Sequence, residues 1–112
     1  TAMGKININI AEAQELILAK YARNSFLALK VAYFNQLYDL CNKLNIDYEQ
    51  VRKYTIIDDR IGESHTTITE ERGFGGHCFP KDVNALIATA KRDNVDLSIL
   101  KDAVEYNRNI RK

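Results

Sequence analysis

Tryptophan is absent from this sequence, proline occurs once, cysteine twice and glycine five times. Each scarcity excludes something. The two cysteines sit in unlike settings, Cys41 inside a helical apolar pattern and Cys78 in a glycine-rich stretch, so no disulfide framework of the small secreted kind is expected. With so little proline and glycine, no linker divides the chain, and neither an internal repeat nor a low-complexity tract is visible. No run reaches the ~18–20 apolar residues of a membrane span. An excess of one charge is also missing. Sixteen Lys and Arg stand against fifteen Asp and Glu, a net charge of +1, which is not the footprint of a protein that neutralises a row of phosphates. Nucleic acid and membrane are therefore excluded as expected partners. No basic, apolar, small-residue leader opens the sequence, which reads as soluble, unexported and cytoplasmic.

What is present is ordinary for one globular domain: 112 residues, 46% hydrophobic and 28% charged. One core is expected, in a chain too short to house both a nucleotide cofactor and a substrate, since each usually takes a domain of ~100–150 residues. Thr1 to Gly4 places a methionine behind two small residues and reads as a cloning remnant. That leaves 5–112 as the domain, with Lys5 to Ile10 as a weakly alternating lead-in.

From Ala11 to about Asn45 there is neither Gly nor Pro, and Ala, Leu, Glu, Lys and Gln abound, the residues that lose least on entering a helix. The segment reads as one helix about 50 Å long, longer than the domain it belongs to. Its middle, Phe26 to Phe34, is apolar almost all round. A second face must be covered, and the same helix of a second copy is the cheapest cover. Asp47 and Gln50 form a capping pair for a helix over Tyr48–Ile57. Glu63 to Cys78 lacks apolar periodicity and reads as a loop. Pro80 fits the first position of the next helix, where Val83, Leu86, Ile87 and Ala90 recur at helical spacing. Asp96 is the expected cap of a last helix, Leu97–Ile110, with Ile99, Leu100, Ala103 and Tyr106 inward. The fold class is all-α: one long central helix packed with shorter ones.

The window Gly73-Phe74-Gly75-Gly76-His77-Cys78-Phe79-Pro80-Lys81-Asp82 carries the chemistry. Glycines let backbone approach a ligand closely, and the cysteine follows at the mouth of a helix. Unpaired helix N–H groups and Lys81 favour a thiolate at Cys78, which suits a nucleophile; the alternative is a glycine turn carrying a buried, inert cysteine. Asp82 reads either as plain complement to the helix dipole or as a carboxylate that handles protons or holds water. Lys20 and Asn24 lie one turn apart and, with Asn35, form a polar stripe on the rod. That stripe is either solvated or aimed into a site where an ammonium and an amide stabilise an oxyanion. Arg60 reads as a partner of the preceding aspartates or as a phosphate contact. Cys41 is expected in the core. No metal site is expected, because adjacent His77 and Cys78 cannot easily share an ion and no second pair follows.

Lys20-Tyr21-Ala22-Arg23-Asn24-Ser25-Phe26-Leu27-Ala28-Leu29-Lys30, Phe34-Asn35-Gln36-Leu37, Asp59-Arg60-Ile61-Gly62 and the Gly73–Asp82 element together resemble the central domain of the UDP-glucose/GDP-mannose dehydrogenases. The resemblance runs from Ala11 to the end. It implies a fold like the C-terminal domain of 6-phosphogluconate dehydrogenase, and a homodimer through the long helix. It also implies NAD as cofactor, held mainly by a Rossmann domain that these residues do not contain, and a nucleotide sugar, most simply UDP-glucose, as substrate. The implied chemistry is a two-step oxidation of C6 to the acid. Cys78 forms a thiohemiacetal and then a thioester, Lys20 and Asn24 sit at the reacting centre, and Asp82 assists water. Arg60 is implied to reach the neighbouring subunit's nucleotide sugar, Gly75 to line the sugar pocket and Lys81 to lie toward the cofactor. The isolated domain is expected not to turn over. The rival readings are a non-catalytic helical dimerisation module and the helical domain of a hydroxy-acid dehydrogenase, which needs no cysteine.

Overall fold

The structure is a computed structural model and describes residues 9–112, so Thr1–Gly4 and most of the lead-in lie outside the described residues. Four helices follow in the order α1 (Ile10–Leu44), α2 (Tyr48–Ile56), α3 (Cys78–Arg92) and α4 (Ser98–Ile110). No strand occurs among the described residues. The fold is all-α, as expected.

The long helix starts where the lead-in ends. Asn9 Oδ1 accepts the amide of Glu12 at 2.8 Å and Asn9 Nδ2 donates to Glu12 Oε1 at 3.1 Å, so the N-cap side chain satisfies one of the free amides of the first turn. At the other end Asn45 turns left-handed at φ 58°, and the Ile46 amide closes onto the Cys41 carbonyl at 2.9 Å. The 35 residues between account for the long dimension of a molecule measuring 55 × 34 × 22 Å. Its radius of gyration, 17.1 Å, exceeds the ~13 Å of a compact chain of similar length. The rod outreaches its domain.

Three faces of α1 do different work. Ser25, Ala28, Ala32 and Asn35 recur at spacings of three and four and are all buried; these small or short side chains let other elements approach closely. Ala28 and Ala32 form the main core with Phe74, Val83 of α3 and Leu100 of α4, and Leu86 and Ile87 pack against it. A second cluster joins Phe34 and Cys41 to Tyr48 of α2, so Cys41 is a core residue. On the third face Phe26, Tyr33 and Leu40, seven residues apart, are 64%, 62% and 52% exposed.

Several expectations need correction. α3 begins at Cys78, which places Pro80 third rather than first; the missing N–H is still harmless, because none of the first four amides has a partner within the helix. Asp96 does not cap α4. It takes the Lys101 ammonium at 2.9 Å, and Leu97 occupies the cap position without a side-chain bond. Asp47 does cap α2, accepting the Glu49 amide at 3.0 Å, but no reciprocal bond from Gln50 forms among the described residues. Ile99 is 73% exposed, so the inner face of α4 is carried by Leu100, Ala103, Val104 and Tyr106. The stripe Lys20, Asn24 and Asn35 is not one solvated face, since Asn35 is fully buried.

The segment between α2 and α3 is tied down by buried polar contacts. The Tyr48 hydroxyl donates to the Thr66 carbonyl at 2.6 Å, and burial lifts its phenol to about 12, against the opposing pull of Arg52. Because the folded chain keeps this phenol neutral beyond its ordinary value of ~10, its contribution is intact below pH 10. It is lost as pH rises from 10 through 12. Tyr106 is raised too, first by burial and then by its bond to Asp39, and adds with the same sign. Denaturant unfolding at stepped pH should show stability falling across this window, with a smaller fall in Tyr48→Phe. At pH 7 that variant should be weaker by about 1–3 kcal/mol, because the Thr66 carbonyl loses its buried donor. Equal alkaline slopes in the two proteins would contradict the assignment.

Candidate active site

Cys78 is the first residue of α3 and is exposed. His77, which precedes it, makes no side-chain cap, so the partial positive charge of the helix start is not answered by a capping side chain. One turn further along the same face lies Asp82, with no exposed surface at all. Its Oδ2 accepts from Asn24 Nδ2 at 2.6 Å, while its Oδ1 has no partner among the described residues. A buried carboxylate with one satisfied oxygen and one open oxygen is not a solvated complement to a helix dipole. Buried polar atoms are normally paired, and the open Oδ1 is an acceptor with room for a donor from a water or ligand.

The bond from Asn24 brings α1 and α3 together at the site. Lys20 stands one turn before Asn24 on α1, exposed, with no ion pair or hydrogen bond among the described residues. Two helices thus each contribute a pair of residues four apart, Lys20 with Asn24 and Cys78 with Asp82, and one pair is bonded to the other. An asparagine amide carries two donor hydrogens; Asp82 uses one. Lys81 is exposed in the first turn of α3, three residues from Cys78.

The remaining sequence candidates lie elsewhere. Gly75 lines an open cleft of about 420 Å³ with Phe74, Pro80, Asn84 and Asn107, and Lys20, Asn24 and Cys78 are not among its walls. The Arg111 guanidinium lies where a Cβ on Gly75 would be, 2.1 Å from that position. Arg60 is highly exposed and pairs with Asp58 at 2.6 Å, and each holds the other in its charged form. The reading of Arg60 as a partner of the preceding aspartates therefore holds. Arg60 also borders an apolar cleft formed by Phe26, Tyr33, Phe34 and Ile61, beside the exposed face of α1. No group of acidic, His and Cys side chains suited to a metal occurs among the described residues.

Sequence reasoning missed the residues that hold the loop before Cys78. Asn35 Oδ1 accepts from Arg72 Nε at 2.7 Å and from the Gly73 amide at 3.3 Å. Arg72 also pairs with Asp39 at 2.8 Å and lies 4.9 Å from the centre of the Tyr38 ring. Asn107 of α4 bonds both backbone groups of Phe74. The one available signal was Asn35, a polar residue at the spacing of a buried small-residue row.

Fold and site define an all-α domain, built on one long helix, that presents a thiol at a helix start above a buried carboxylate. The chain belongs to the UDP-glucose/GDP-mannose dehydrogenase family, whose central-domain model matches residues 7–109. It is 42% identical over 91 residues to a UDP-glucose 6-dehydrogenase of Rickettsia felis, covering 81% of this chain and 20% of that protein. It is 44% identical over 92 residues to one of Pseudomonas aeruginosa, covering 82% and 20%. The solved structure of a UDP-glucose dehydrogenase from the archaeon Pyrobaculum islandicum superposes with a TM-score of 0.75 at 36% identity, over 82% of this chain and 21% of that one. The chain spans about a fifth of the length of these relatives.

Proposed function

We propose that this chain is the central, subunit-pairing domain of a cytoplasmic NAD-dependent dehydrogenase that oxidises UDP-glucose to UDP-glucuronate in two steps. The observation that carries the reading is the exposed thiol of Cys78 one turn from buried Asp82, whose second oxygen is left open while Asn24 holds the first. A pure dimerisation module has no use for a fully buried, half-satisfied carboxylate, which costs stability.

After the first oxidation yields an aldehyde at C6, the thiolate of Cys78 adds to it. A C–S bond forms and the carbonyl oxygen becomes an oxyanion, which the Lys20 ammonium and the free Asn24 hydrogen stabilise. Oxidation of this thiohemiacetal gives a thioester. Water then adds to the thioester carbon, Asp82 takes its proton, and the C–S bond breaks to release acid and thiol. NAD supplies the hydride acceptor for both oxidations. The exposed ammonium of Lys81 suits one anionic contact to it. The strand-to-helix glycine turn that cradles a dinucleotide does not occur among the described residues, so most of that site lies on other parts of the protein. Gly75, three residues before Cys78, is assigned to the wall of the sugar pocket in this reading.

The seam Phe26, Tyr33 and Leu40 fits the seven-residue repeat of paired helices, and a two-fold copy would cover it. Arg60 borders the apolar cleft beside that seam, and its contact with the partner's nucleotide sugar, which would require it to leave Asp58, is part of this reading. The full-length enzyme carrying this domain should form two NADH per UDP-glucose, and the 112-residue chain none. The chain should sediment as a dimer at micromolar concentration, with Tyr33→Glu shifting it to monomer. One NADH per sugar would overturn the two-step reading, and a monomeric parent chain would overturn the pairing.

A further inference from the structure

Between Ile57 and His77 the chain has no regular secondary structure, yet it must deliver Cys78 to one place. The last three residues before the thiol, Gly75-Gly76-His77, include two glycines and bring little stiffness of their own. On its C-terminal side Cys78 is held by α3, which is anchored through Val83 and the Asp82–Asn24 bond; on its N-terminal side its placement depends on whatever fixes Phe74. The Phe74 ring is buried in the main core beside Val83 of α3. Its backbone is gripped by one side chain: Asn107 Oδ1 accepts the Phe74 amide at 2.7 Å, and Asn107 Nδ2 donates to the Phe74 carbonyl at 2.8 Å. Both main-chain groups of one residue are thus satisfied as a neighbouring strand would satisfy them.

The preceding residues are shaped to admit this grip. Gly73 is left-handed at φ 66°, and a Cβ there would lie 2.0 Å from Asn107 Oδ1, so glycine clears the path of the carboxamide. Arg72 is also left-handed, at φ 64°, an unfavourable state for a residue with a Cβ, and it is held there by Asn35 and Asp39. Asn35 from α1 and Asn107 from α4 therefore clamp Arg72 to Phe74 from two helices.

We propose that Asn107 is a positioning residue for the thiol of Cys78: its two-bond grip on Phe74 fixes the near end of the Gly75-Gly76-His77 tether, so that α4 acts together with the anchored start of α3 in setting where the nucleophile stands. This rests on the reading of Cys78 as nucleophile. A misplacement of ~1 Å costs about 100-fold in well-aligned chemistry, which sets the size of the effect.

The test uses the full-length enzyme. Asn107→Ala should lower kcat for NADH formation from UDP-glucose by about 10–100-fold and leave KM for NAD unchanged. Asn107→Asp, which has the same shape and keeps the acceptor but not the donor, should fall between the two, and its near-isosteric side chain guards against a folding failure. Hydrogen exchange in peptides covering 73–79 should rise in the order wild type, Asp, Ala, while exchange over 28–41 of α1 stays constant. Unchanged exchange at 73–79 overturns the grip. Faster exchange with wild-type kcat overturns the positioning role. If the unaltered enzyme forms no NADH, the dehydrogenase reading fails instead, and the exchange series alone decides the grip.

Discussion

Cys78→Ser in the full-length enzyme should abolish release of the uronic acid, with a loss of at least about 10³-fold in steady-state turnover, while a single oxidation of the sugar remains possible. The reason is a division of labour. The first oxidation removes a hydride and a proton from an alcohol and requires no covalent bond to the protein. The second requires the aldehyde to be captured, and only a good nucleophile that is also a good leaving group can form the adduct and later release the acid. A serine hydroxyl at the start of α3 is both a poorer nucleophile and a poorer leaving group than the thiol it replaces. Single-turnover measurement of NADH per active site should give two for the parent and at most one for the variant. Uronic acid formed at the parent rate would make the cysteine structural and favour the scaffold reading.

Lys20→Ala should slow both oxidations rather than divide them. Lys20 is exposed and has no ion pair among the described residues, so none of those residues uses its charge. It stands one turn from Asn24, whose carboxamide is already committed to Asp82 by one hydrogen. Removing the ammonium leaves one donor hydrogen to meet an oxyanion, and loss of a single such stabilising group costs about 2.7–4 kcal/mol, or 10²–10³ in kcat. KM for NAD should not move. A kcat within about threefold of the parent would remove Lys20 from the reacting centre. Thermal unfolding should be unchanged, because the side chain is exposed and makes no hydrogen bond or ion pair among the described residues.

The helices were legible because their signals are local. Runs free of Gly and Pro, a capping Asp47 and apolar residues at spacings of three and four each act over one or two turns. The failures mark where local signals compete. Asp96 has a competing electrostatic partner in Lys101, and periodicity marks Ile99 as part of an apolar stripe without saying how wide the covering element is. The site was legible in halves. Lys20 with Asn24 and Cys78 with Asp82 each show as pairs four apart, but the bond between Asn24 and Asp82 joins residues 58 positions apart, and nothing within a window of sequence encodes it. The Asn107 grip was invisible for a related reason: an asparagine on an amphipathic helix reads as surface until its partner, a backbone segment 33 residues away, is placed against it.

Because α1 is unbroken, it tolerates neither insertion nor deletion within the stretch that serves both the site and the core. Asn24 must meet Asp82 while Ser25, Ala28, Ala32 and Asn35 face the rest of the domain, and both are set by one rotation about one axis. A single residue inserted after Asn24 would turn everything beyond it by about 100° relative to Asn24, so that the bond to Asp82 and the packing of Ala28 and Ala32 could not both survive. Seven inserted residues would return the phase to within ~20°, at the cost of sliding the two halves about 10 Å apart. Length changes in this family should therefore collect in the segment between α2 and α3 ahead of Arg72, and α1 should keep its residue count between Lys20 and Asn35 even where its side chains differ.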